Sequence, residues 1–537
     1  MKNVIFLILA YTVLSCANIL APTGGPKDED PPGLINSVPK HGQTNYRGSR
    51  IMLEFNEFLK LKNPKDEIIV TPDIKDITYT VKKNIVNIEF NGSLEENTTY
   101  SFSFREAIQD LNESNPAEDL HLAFSTGDEI DSLELRGTVT QLLKGQPAEK
   151  YTVAIYQSDT FDIFKHRPSY FSRTDKNGEF KIRNLKAGDY SIYAFEDNNK
   201  NLVLESKSEK FGFLKDKISL NEHVDSISIK TIPLDSRPIT VTGIRSLGHF
   251  TKVRLNKNLT SYSLLSQDIN DKRIPSCFSG NQSEIDIFPN KPVNDSTLIR
   301  LIGIDSLEQK LDTLFYVKQT SAKSLKEKIK ISVVKCQLQD DVQRFYSELN
   351  TSELLKSISP DSIYIQVDTT SIIPFGNADI RFDTIYRKIT IEKSFDRKDS
   401  VKWKSAKFIL GNMSFISIHG DSSKASGSPI NIIKSEESAT LVIESENVRP
   451  NTLVEVLDER LNSYGVYPQT KSLVFKYIKP GSVLIRRIDD TNGNGKWDPG
   501  NPNRKILPEN ISFYINIDGK SQIPLRANWE VPIQWNF

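Results

Sequence analysis

The chain has 537 residues, with 69 Lys and Arg against 69 Asp and Glu, so its formal net charge is zero. This balance argues against bulk nucleic-acid binding, which needs a basic face, and the length predicts three to five domains rather than one core. Its 27 Phe and 18 Tyr favour strands over helices.

The first sixteen residues, MKNVIFLILAYTVLSC, place Lys2 before a short apolar run. The run is too short to span a bilayer, which takes about 20 apolar residues, and its layout is that of a secretory signal. Because Cys16 directly follows VLS, residues 1–15 resemble a bacterial lipoprotein signal peptide. The resemblance implies that Cys16 becomes the acylated N-terminus of a tether, residues 16–32, that is rich in Pro, Gly and charge. The alternative is an ordinary signal peptide with an incidental cysteine.

Residues 33–128 form the first predicted domain, because short alternating segments are separated by turn signals every 8–12 residues or so, as in a β-sandwich. The predicted strands are Arg50–Phe55, Glu67–Val70, Tyr79–Lys82, Ile85–Phe90, Thr99–Phe104 and Leu120–Thr126. The motifs PPGLINSVPKHGQTN, IMLEFNEFL, LEENTTYSFSF and LAFSTG resemble the bacterial Ig-like domain of large Bacteroidetes surface lipoproteins.

Residues 129–233 form the second predicted domain. The stretch TDKNGEFKIRNLKAGDYSIYAFED resembles the transthyretin-like, carboxypeptidase-regulatory type of β-sandwich, which is generally non-catalytic. Residues 234–324 form a second Ig-like unit, because Lys252–Leu255 and Thr297–Ile304 repeat the patterns of IMLEF and TYSFSF. Residues 325–428 are a β-rich unit of uncertain fold, with a helix predicted at Asp340–Ser357.

Residues 429–537 repeat the transthyretin-like pattern, since Lys186–Asn201 matches Lys479–Asn494 in order. Such a repeat points to an array of modules. We therefore predict an all-β chain, a row of tandem Ig-like and transthyretin-like β-sandwiches after a lipoprotein signal peptide.

A candidate calcium loop lies in the last predicted domain, where oxygen-bearing side chains at positions 1, 3, 5 and 9, a Gly at 6 and a backbone carbonyl at 7 match most of a calcium loop. The residues are Asp490, Asn492, Asn494, Lys496 (through its carbonyl) and Asp498. Position 12 is Asn501 rather than Glu. The pattern resembles the calcium-binding D-x-N-x-N-G loops of bacterial β-sandwich repeats; the alternative is an Asx/Gly hairpin that caps its own backbone.

Two cysteines remain once Cys16 is lipidated. In an oxidising compartment Cys277 and Cys336 could form a disulfide, or they could be separate buried thiols. The four tryptophans at 403, 497, 529 and 535 could stack on sugar rings, although packing is the commoner use.

Asp-Ser/Thr followed by an aliphatic residue or Thr occurs at nine sites, where composition would give roughly two or three. The tripeptide resembles the O-glycosylation sequon of Bacteroidetes extracytoplasmic proteins, and the alternative is that it ends turns before strands. The implied acceptors are Ser132, Ser226, Ser296, Ser306, Thr313, Ser362, Thr369, Thr384 and Ser400.

The sequence carries no GxSxG elbow, Walker loop or other catalytic set. We therefore expect a non-catalytic outer-membrane lipoprotein that acts as a structural or interaction subunit of an envelope complex. Its expected partner is another envelope protein, such as an outer-membrane β-barrel, and its expected cofactor is at most structural Ca²⁺. The cell surface is favoured, with the periplasmic face left open. The alternative function is surface glycan binding in nutrient capture.

Overall fold

The computed structural model describes residues 28–157, 160–205, 207, 209–247, 250–266, 272–288, 297–317, 329–340, 342–395 and 403–536. Within these residues the chain is nearly all β, so the predicted fold class is confirmed. The predicted signal peptide, Cys16 and most of the tether lie outside the described residues. In the described part of the chain, no helix combines the length and apolarity needed to span a bilayer.

Unit 1, residues 28–128, is a sandwich of two main sheets, one of four strands and one of three. Phe55, Phe102 and Phe124 are fully buried between the sheets. Part of the strand predicted at Glu67–Val70 is instead a helical turn, α1 (Pro64–Glu67), which begins at a proline suited to that position. The described strands are β1 (Leu34–Val38), β2 (Arg50–Phe55), β3 (Leu59–Leu61), β4 (Ile69–Thr71), β5 (Ile77–Lys82), β6 (Ile85–Phe90), β7 (Thr99–Ser103), β8 (Ile108–Asp110) and β9 (His121–Ser125). The strand orders of the two main sheets are β1-β2-β6-β5 and β4-β7-β9.

Unit 2, residues 129–235, has a different strand order. Its described strands are β10 (Leu133–Gln141), β11 (Gln146–Pro147), β12 (Thr152–Tyr156), β13 (Tyr170–Arg173), β14 (Glu179–Leu185), β15 (Gly188–Phe195), β16 (Lys210–Phe213), β17 (Ile218–Leu220) and β18 (Val224–Pro233). Strand β10 pairs antiparallel with β14 and parallel with β18. Strand β12 pairs with β13 and β15, and β15 pairs with β16 and β17.

Unit 3, residues 236–317, repeats the strand order of unit 1. Its described strands are β19 (Val241–Leu247), β20 (Phe250–Leu255), β21 (Ser261–Ser266), β22 (Lys272–Arg273), β23 (Ser276–Ser279), β24 (Asn281–Ile287), β25 (Thr297–Ile304) and β26 (Lys310–Val317). The order β19-β20-β24-β23 matches that of the first sheet of unit 1. Val253, Ile285 and Leu301 form its buried centre.

Unit 4, residues 329–433, shows that the helix predicted at Asp340–Ser357 is wrong. Arg344–Thr351 is a strand in which alternate residues are buried, and it lies between two other strands. The described strands are β27 (Ile331–Gln339), β28 (Arg344–Thr351), β29 (Leu355–Ile358), β30 (Ile363–Gln366), β31 (Ile372–Pro374), β32 (Ile380–Asp383), β33 (Lys388–Ser394), β34 (Lys407–Leu410), β35 (Phe415–Ser417), β36 (Ser426–Pro429) and β37 (Asn431–Ile433). Because β37 pairs with β27, this unit continues past the boundary predicted at residue 428.

Unit 5, residues 434–536, repeats the pairing of unit 2. Its described strands are β38 (Ala439–Glu444), β39 (Thr452–Asp458), β40 (Ser463–Pro468), β41 (Ser472–Ile478), β42 (Gly481–Asp489), β43 (Ile511–Phe513), β44 (Gln522–Leu525) and β45 (Glu530–Gln534). Strand β38 pairs antiparallel with β41 and parallel with β45. Strand β39 pairs with β40 and β42, and β42 pairs with β43 and β44.

The units do not form the predicted row, because unit 5 returns to the junction of units 2 and 3. We call this junction the three-way joint. A buried apolar cluster joins units 2 and 5, formed by Leu142, Ile232, Leu453, Ile488 and Ile511. Polar contacts join units 3 and 5: the Asn501 side-chain amide donates to the Leu307 carbonyl at 2.6 Å, and Arg504 pairs with Glu308 at 2.6 Å.

A buried ion pair stabilises unit 3 beside this joint. The Lys257 ammonium lies 2.5 Å from the Asp305 carboxylate, and the two side chains are 6% and 3% exposed. Lys257 also donates to the Asp235 carbonyl at 3.1 Å, in the segment that links units 2 and 3. The ammonium therefore ties the linker to the loop that contacts unit 5.

We predict that Asp305→Asn destabilises unit 3 by about 3–5 kcal/mol, because it leaves a buried ammonium without its counter-charge. Urea-induced unfolding, followed by hydrogen exchange in peptides of unit 3, measures the change. The control is Asp312→Asn, which removes the partner of Arg300 at the surface and should leave the transition nearly unchanged. Equal effects of the two substitutions would contradict the prediction.

Candidate functional site

The candidate calcium loop lies between β42 and β43, and Asp490 organises it. This side chain is 3% exposed, and its two oxygens accept the backbone N–H groups of Asn494 at 3.0 Å and Gly495 at 2.8 Å. Gly495 has a φ of +79°, a left-handed conformation that glycine adopts without strain. Each Asp490 oxygen keeps a further lone pair, so the turn leaves acceptor capacity for a cation.

Three side chains of the loop converge on one point. The side-chain amides of Asn492 and Asn494 both donate to the same oxygen of Asp498, at 2.5 and 2.6 Å. The oxygens of these two amides accept the backbone N–H groups of Asn494 and Lys496, both at 3.0 Å, and each oxygen keeps a further lone pair. A set of carboxylate and amide oxygens suits Ca²⁺, so the residues present fit the ion that the sequence predicts.

Glu509 stabilises the loop through backbone hydrogen bonds, although the sequence did not predict it as a site residue. Its carboxylate is 6% exposed and accepts the backbone N–H of Thr491 at 2.6 Å and that of Asp498 at 3.0 Å. It thus holds both ends of the loop together. Glu509 lies beyond the twelve positions of the calcium-loop pattern. The only sequence signal for it is that a glutamate also follows the matching loop of unit 2.

Asn501 occupies position 12 of the calcium-loop pattern, but its side chain contacts unit 3 and a neighbouring turn. It is 7% exposed, donates to unit 3, and caps a short 3₁₀ turn by accepting the Arg504 N–H. Trp497, also in this loop, donates its indole N–H to the Glu509 carbonyl and packs against the apolar cluster of the three-way joint. The loop is therefore part of the contact between units.

Unit 2 builds its matching loop in the same way, although its sequence is less similar to a calcium loop. Asp197 accepts the backbone N–H groups of Asn201 at 3.1 Å and Leu202 at 3.2 Å, as Asp490 does in unit 5. Glu209, which is 2% exposed, accepts the N–H groups of Asn198 and Glu205, as Glu509 does. Burial raises the pKa of Glu209.

In the described part of the chain, these loops are not accompanied by a metal site built from His, Cys, Asp and Glu side chains alone. Across the described ranges, no three His, Cys, Asp or Glu side chains are placed to share a metal ion. A cation in the loop of unit 5 would therefore depend on amide oxygens as well as on Asp490 and Asp498.

The disulfide considered for Cys277 and Cys336 does not form. Both thiols are free, Cys277 within β23 of unit 3 and Cys336 within β27 of unit 4. Cys277 is fully buried in a small cluster with Phe288 and Leu354, where a neighbouring domain covers it. Packing of each thiol in its own sheet accounts for the absence of a bond.

The predicted glycan acceptors differ in exposure. Ser132, Ser226, Ser306, Thr369 and Thr384 are exposed, Thr313 and Ser362 are half-buried, and Ser296 and Ser400 lie outside the described residues. In one tripeptide the aspartate has a structural use, since Asp305 is buried against Lys257. Glycosylation at these sites stays a prediction.

The tryptophans do not assemble into a sugar-binding platform. Trp403 and Trp535 are 7% and 9% exposed, and Trp497 is half-buried in the three-way joint. Trp529 is 51% exposed, but the Arg526 guanidinium lies over its ring, 4.9 Å from the centroid. Of the four tryptophans, Trp529 alone has an exposed ring, and Arg526 lies over it.

Comparisons with known proteins identify the N-terminal unit. Residues 28–126 match the bacterial Ig-like domain family. No curated protein matches the chain.

Solved structures share only a general likeness. A DUF3823 family protein from Bacteroides uniformis is 10% identical over 35% of this chain and 100% of its own, with a TM-score of 0.13. The Bacillus anthracis TIE protein is 8% identical over 96% of this chain and 75% of its own, also with a TM-score of 0.13. The major pilin subunit BcpA of Bacillus cereus is 10% identical over 76% of this chain and 99% of its own, with a TM-score of 0.13. At these TM-scores the likenesses support no functional argument.

We predict that neither cysteine reacts with iodoacetamide at pH 8 in the folded protein. Burial raises the pKa of each thiol to about 12, so the reactive thiolate is scarce. Mass spectrometry after a short alkylation should find both sites unmodified, and both should be labelled in guanidinium chloride. Rapid labelling of Cys277 without denaturant would show that the contact between units 3 and 4 opens.

Proposed function

We propose that this protein is a non-catalytic structural or interaction subunit of a cell-envelope complex, tethered to an outer membrane by acyl chains on Cys16. Its partner is another envelope protein, and an outer-membrane barrel machine is the partner class we favour. The cell surface is the favoured face. The sequence supports the anchor, and the Ig-like unit is a module that commonly serves recognition rather than chemistry.

The observation that carries the proposal is the packing of units 2, 3 and 5 at the three-way joint. A buried apolar cluster and inter-unit polar contacts fix their relative placement. Unit 1 is also held to unit 2, through ion pairs such as that of Arg183 with Asp119. Fastened sandwiches present surfaces at set positions, which is what a subunit that organises a larger assembly requires.

The anchor and the partner can be tested together in intact cells. We expect wild-type protein to incorporate tritiated palmitate, to fractionate with the outer membrane and to be removed by proteinase K. Cys16→Ala should lose the label, whereas Cys277→Ala is the matched cysteine control and should retain it. Affinity purification in mild detergent after crosslinking should recover a stoichiometric envelope partner. Absence of acylation, or purification without any such partner, would contradict the proposal.

We also propose that the loop of unit 5 holds a structural Ca²⁺. Asp490, Asn492, Asn494 and Asp498 would supply side-chain oxygens, and Lys496 its backbone carbonyl. A bound cation would offset the carboxylate charges and stiffen the loop. Because Trp497 and Asn501 extend from the same segment to units 2 and 3, the ion would stabilise the three-way joint.

We predict that CaCl₂ raises the midpoint of thermal unfolding relative to EDTA. A ligand at about 100 times its Kd adds about 2.7 kcal/mol to stability. Asp498→Asn, which removes a charge but keeps the shape, should abolish most of the increase. Glu205→Gln, the matching substitution in unit 2, is the control and should keep it. If Asp498→Asn responds to CaCl₂ as the wild type does, the ion is not held by this loop.

A further inference from the structure

Unit 1 covers an edge of its three-stranded sheet with a segment of its own chain. Strand β9 lies at that edge, and residues 41–46, from the connection between β1 and β2, run parallel to it. The Gly42 N–H donates to the Ala123 carbonyl at 2.8 Å. The Ser125 N–H donates to the Gln43 carbonyl, also at 2.8 Å. Ala123 and Ser125 are consequently buried, at 0% and 1% exposed.

Unit 3 has the corresponding edge without the covering segment. Strand β26 lies at the edge of the sheet β22-β21-β25-β26, and β25 is its only partner among the described strands. Residues 39–49 separate β1 from β2 in unit 1, whereas only residues 248 and 249 separate β19 from β20 in unit 3. Because Leu247 pairs with Phe250, this connection is just long enough to join its own two strands.

Core packing shows which residues of β9 and β26 are comparable. Phe124 of β9 pairs with Tyr100, and both side chains pack in the core of unit 1. Phe315 of β26 pairs with Ile299, and both side chains pack in the core of unit 3. Because side chains alternate along a strand, the residues on either side of each phenylalanine face outward. In unit 1 these outward-facing neighbours are the two residues that the covering segment buries.

The outward-facing neighbours of Phe315 are apolar and exposed. Leu314 and Tyr316 are 54% and 64% exposed, although their counterparts in unit 1 are almost completely buried. Asp312, the next outward-facing residue of β26, pairs with Arg300 at 2.8 Å, so its charge is already balanced. An edge strand with an exposed apolar face and no second strand partner is a template for strand addition.

We propose that the free edge of β26 binds an extended segment of the partner envelope protein, which adds to the sheet as a parallel strand. The inference rests on the proposed function, because it gives the envelope partner a defined place on this chain. Residues 41–46 of unit 1 show the kind of occupant, an extended segment held by backbone hydrogen bonds. The side chains of the added segment that face Leu314 and Tyr316 would be apolar, since this arrangement buries no unpaired charge.

The orientation of the segment favours a partner over a second copy of this chain. In unit 1 the covering segment runs parallel to β9, with Gln43 beside Phe124. Two copies of β26 that met across a two-fold axis would instead run antiparallel. The occupant that follows the example of unit 1 is therefore a segment other than β26 itself.

Photo-crosslinking in intact cells tests the inference on the full-length chain. Benzoylphenylalanine replaces Lys310 in one variant and Leu314 in another, because both residues are exposed on the same side of β26. We expect both to link to one other protein, at residues about four apart in a continuous stretch and in the same order along both chains. Peptide mapping identifies the linked residues. Benzoylphenylalanine at Ile517, a fully exposed residue of unit 5, is the control and should not link to that stretch.

A matched pair of substitutions tests whether the apolar face of β26 is needed. Leu314→Lys places a charge on the edge strand, a device by which proteins prevent strand addition, and it should lower the crosslinking yield from position 310 by roughly tenfold or more. Val474→Lys makes a comparable change at a residue of unit 5 that is 51% exposed, and it should leave the yield unchanged. Melting curves check that both variants fold.

The inference is overturned if the linked residues are scattered over several proteins or lie in the reverse order. Links only within this chain or to a second copy, a yield that Leu314→Lys does not change, or no link at all would also overturn it. A partner that co-purifies with the chain but never links from β26 would overturn this inference and leave the proposed function standing. Absence of acylation at Cys16 would instead count against the membrane anchor.

Discussion

The buried contact between Leu142 and Ile232 of unit 2 and Leu453, Ile488 and Ile511 of unit 5 is the constraint on which the rest of the arrangement depends. The partners are separated by more than two whole units of sequence, so the contact sets where the chain must return. Burying such side chains stabilises by roughly 25 cal/mol for each Å² of apolar surface removed from water. Once this cluster forms, the loop of unit 5 lies against unit 3 as well.

Units 2 and 5 share the same loop, but the loop contacts different neighbouring units in the two cases. In both, an aspartate at the end of a strand and a buried glutamate farther along hold the backbone by the same hydrogen bonds. In unit 2 this loop faces unit 1, where Lys200 pairs with Asp66. In unit 5 it faces units 2 and 3 through Trp497 and Asn501. The loop is thus a shared way of attaching a neighbouring unit, whether or not a cation adds to its rigidity.

Alternation of apolar residues predicted much of the fold, because a strand with one buried face shows a period of two in the sequence. The strand order of unit 3 follows the correspondences predicted for Lys252–Leu255 and Thr297–Ile304. The helix predicted at Asp340–Ser357 failed where polar residues interrupt the pattern: the alternate burial of Phe345, Ser347 and Leu349 is set by the sheet on either side.

The contacts between units could not be predicted from the alternation of apolar residues. Leu142 and Leu453 look like ordinary core residues of their own units, and nothing local shows that they meet. The same holds for Cys277, whose cover comes from a neighbouring unit. In the candidate site, the turn around Asp490 was predictable from the order of its Asp, Asn and Gly residues. Glu509 did not, because a buried supporting carboxylate has no fixed spacing from the loop that it holds.

Unit 5 is fastened at the junction of units 2 and 3, and a chemical crosslink between units 3 and 5 would detect this contact in solution. Cysteines would replace Glu308 and Arg504, whose side chains meet at 2.6 Å, in a chain with Cys277→Ala and Cys336→Ala. A short bis-maleimide should then link the two within one chain, rapidly and independently of protein concentration, and peptide mapping would identify the link. If the two cysteines are each modified singly and remain unlinked, unit 5 is not held at the three-way joint.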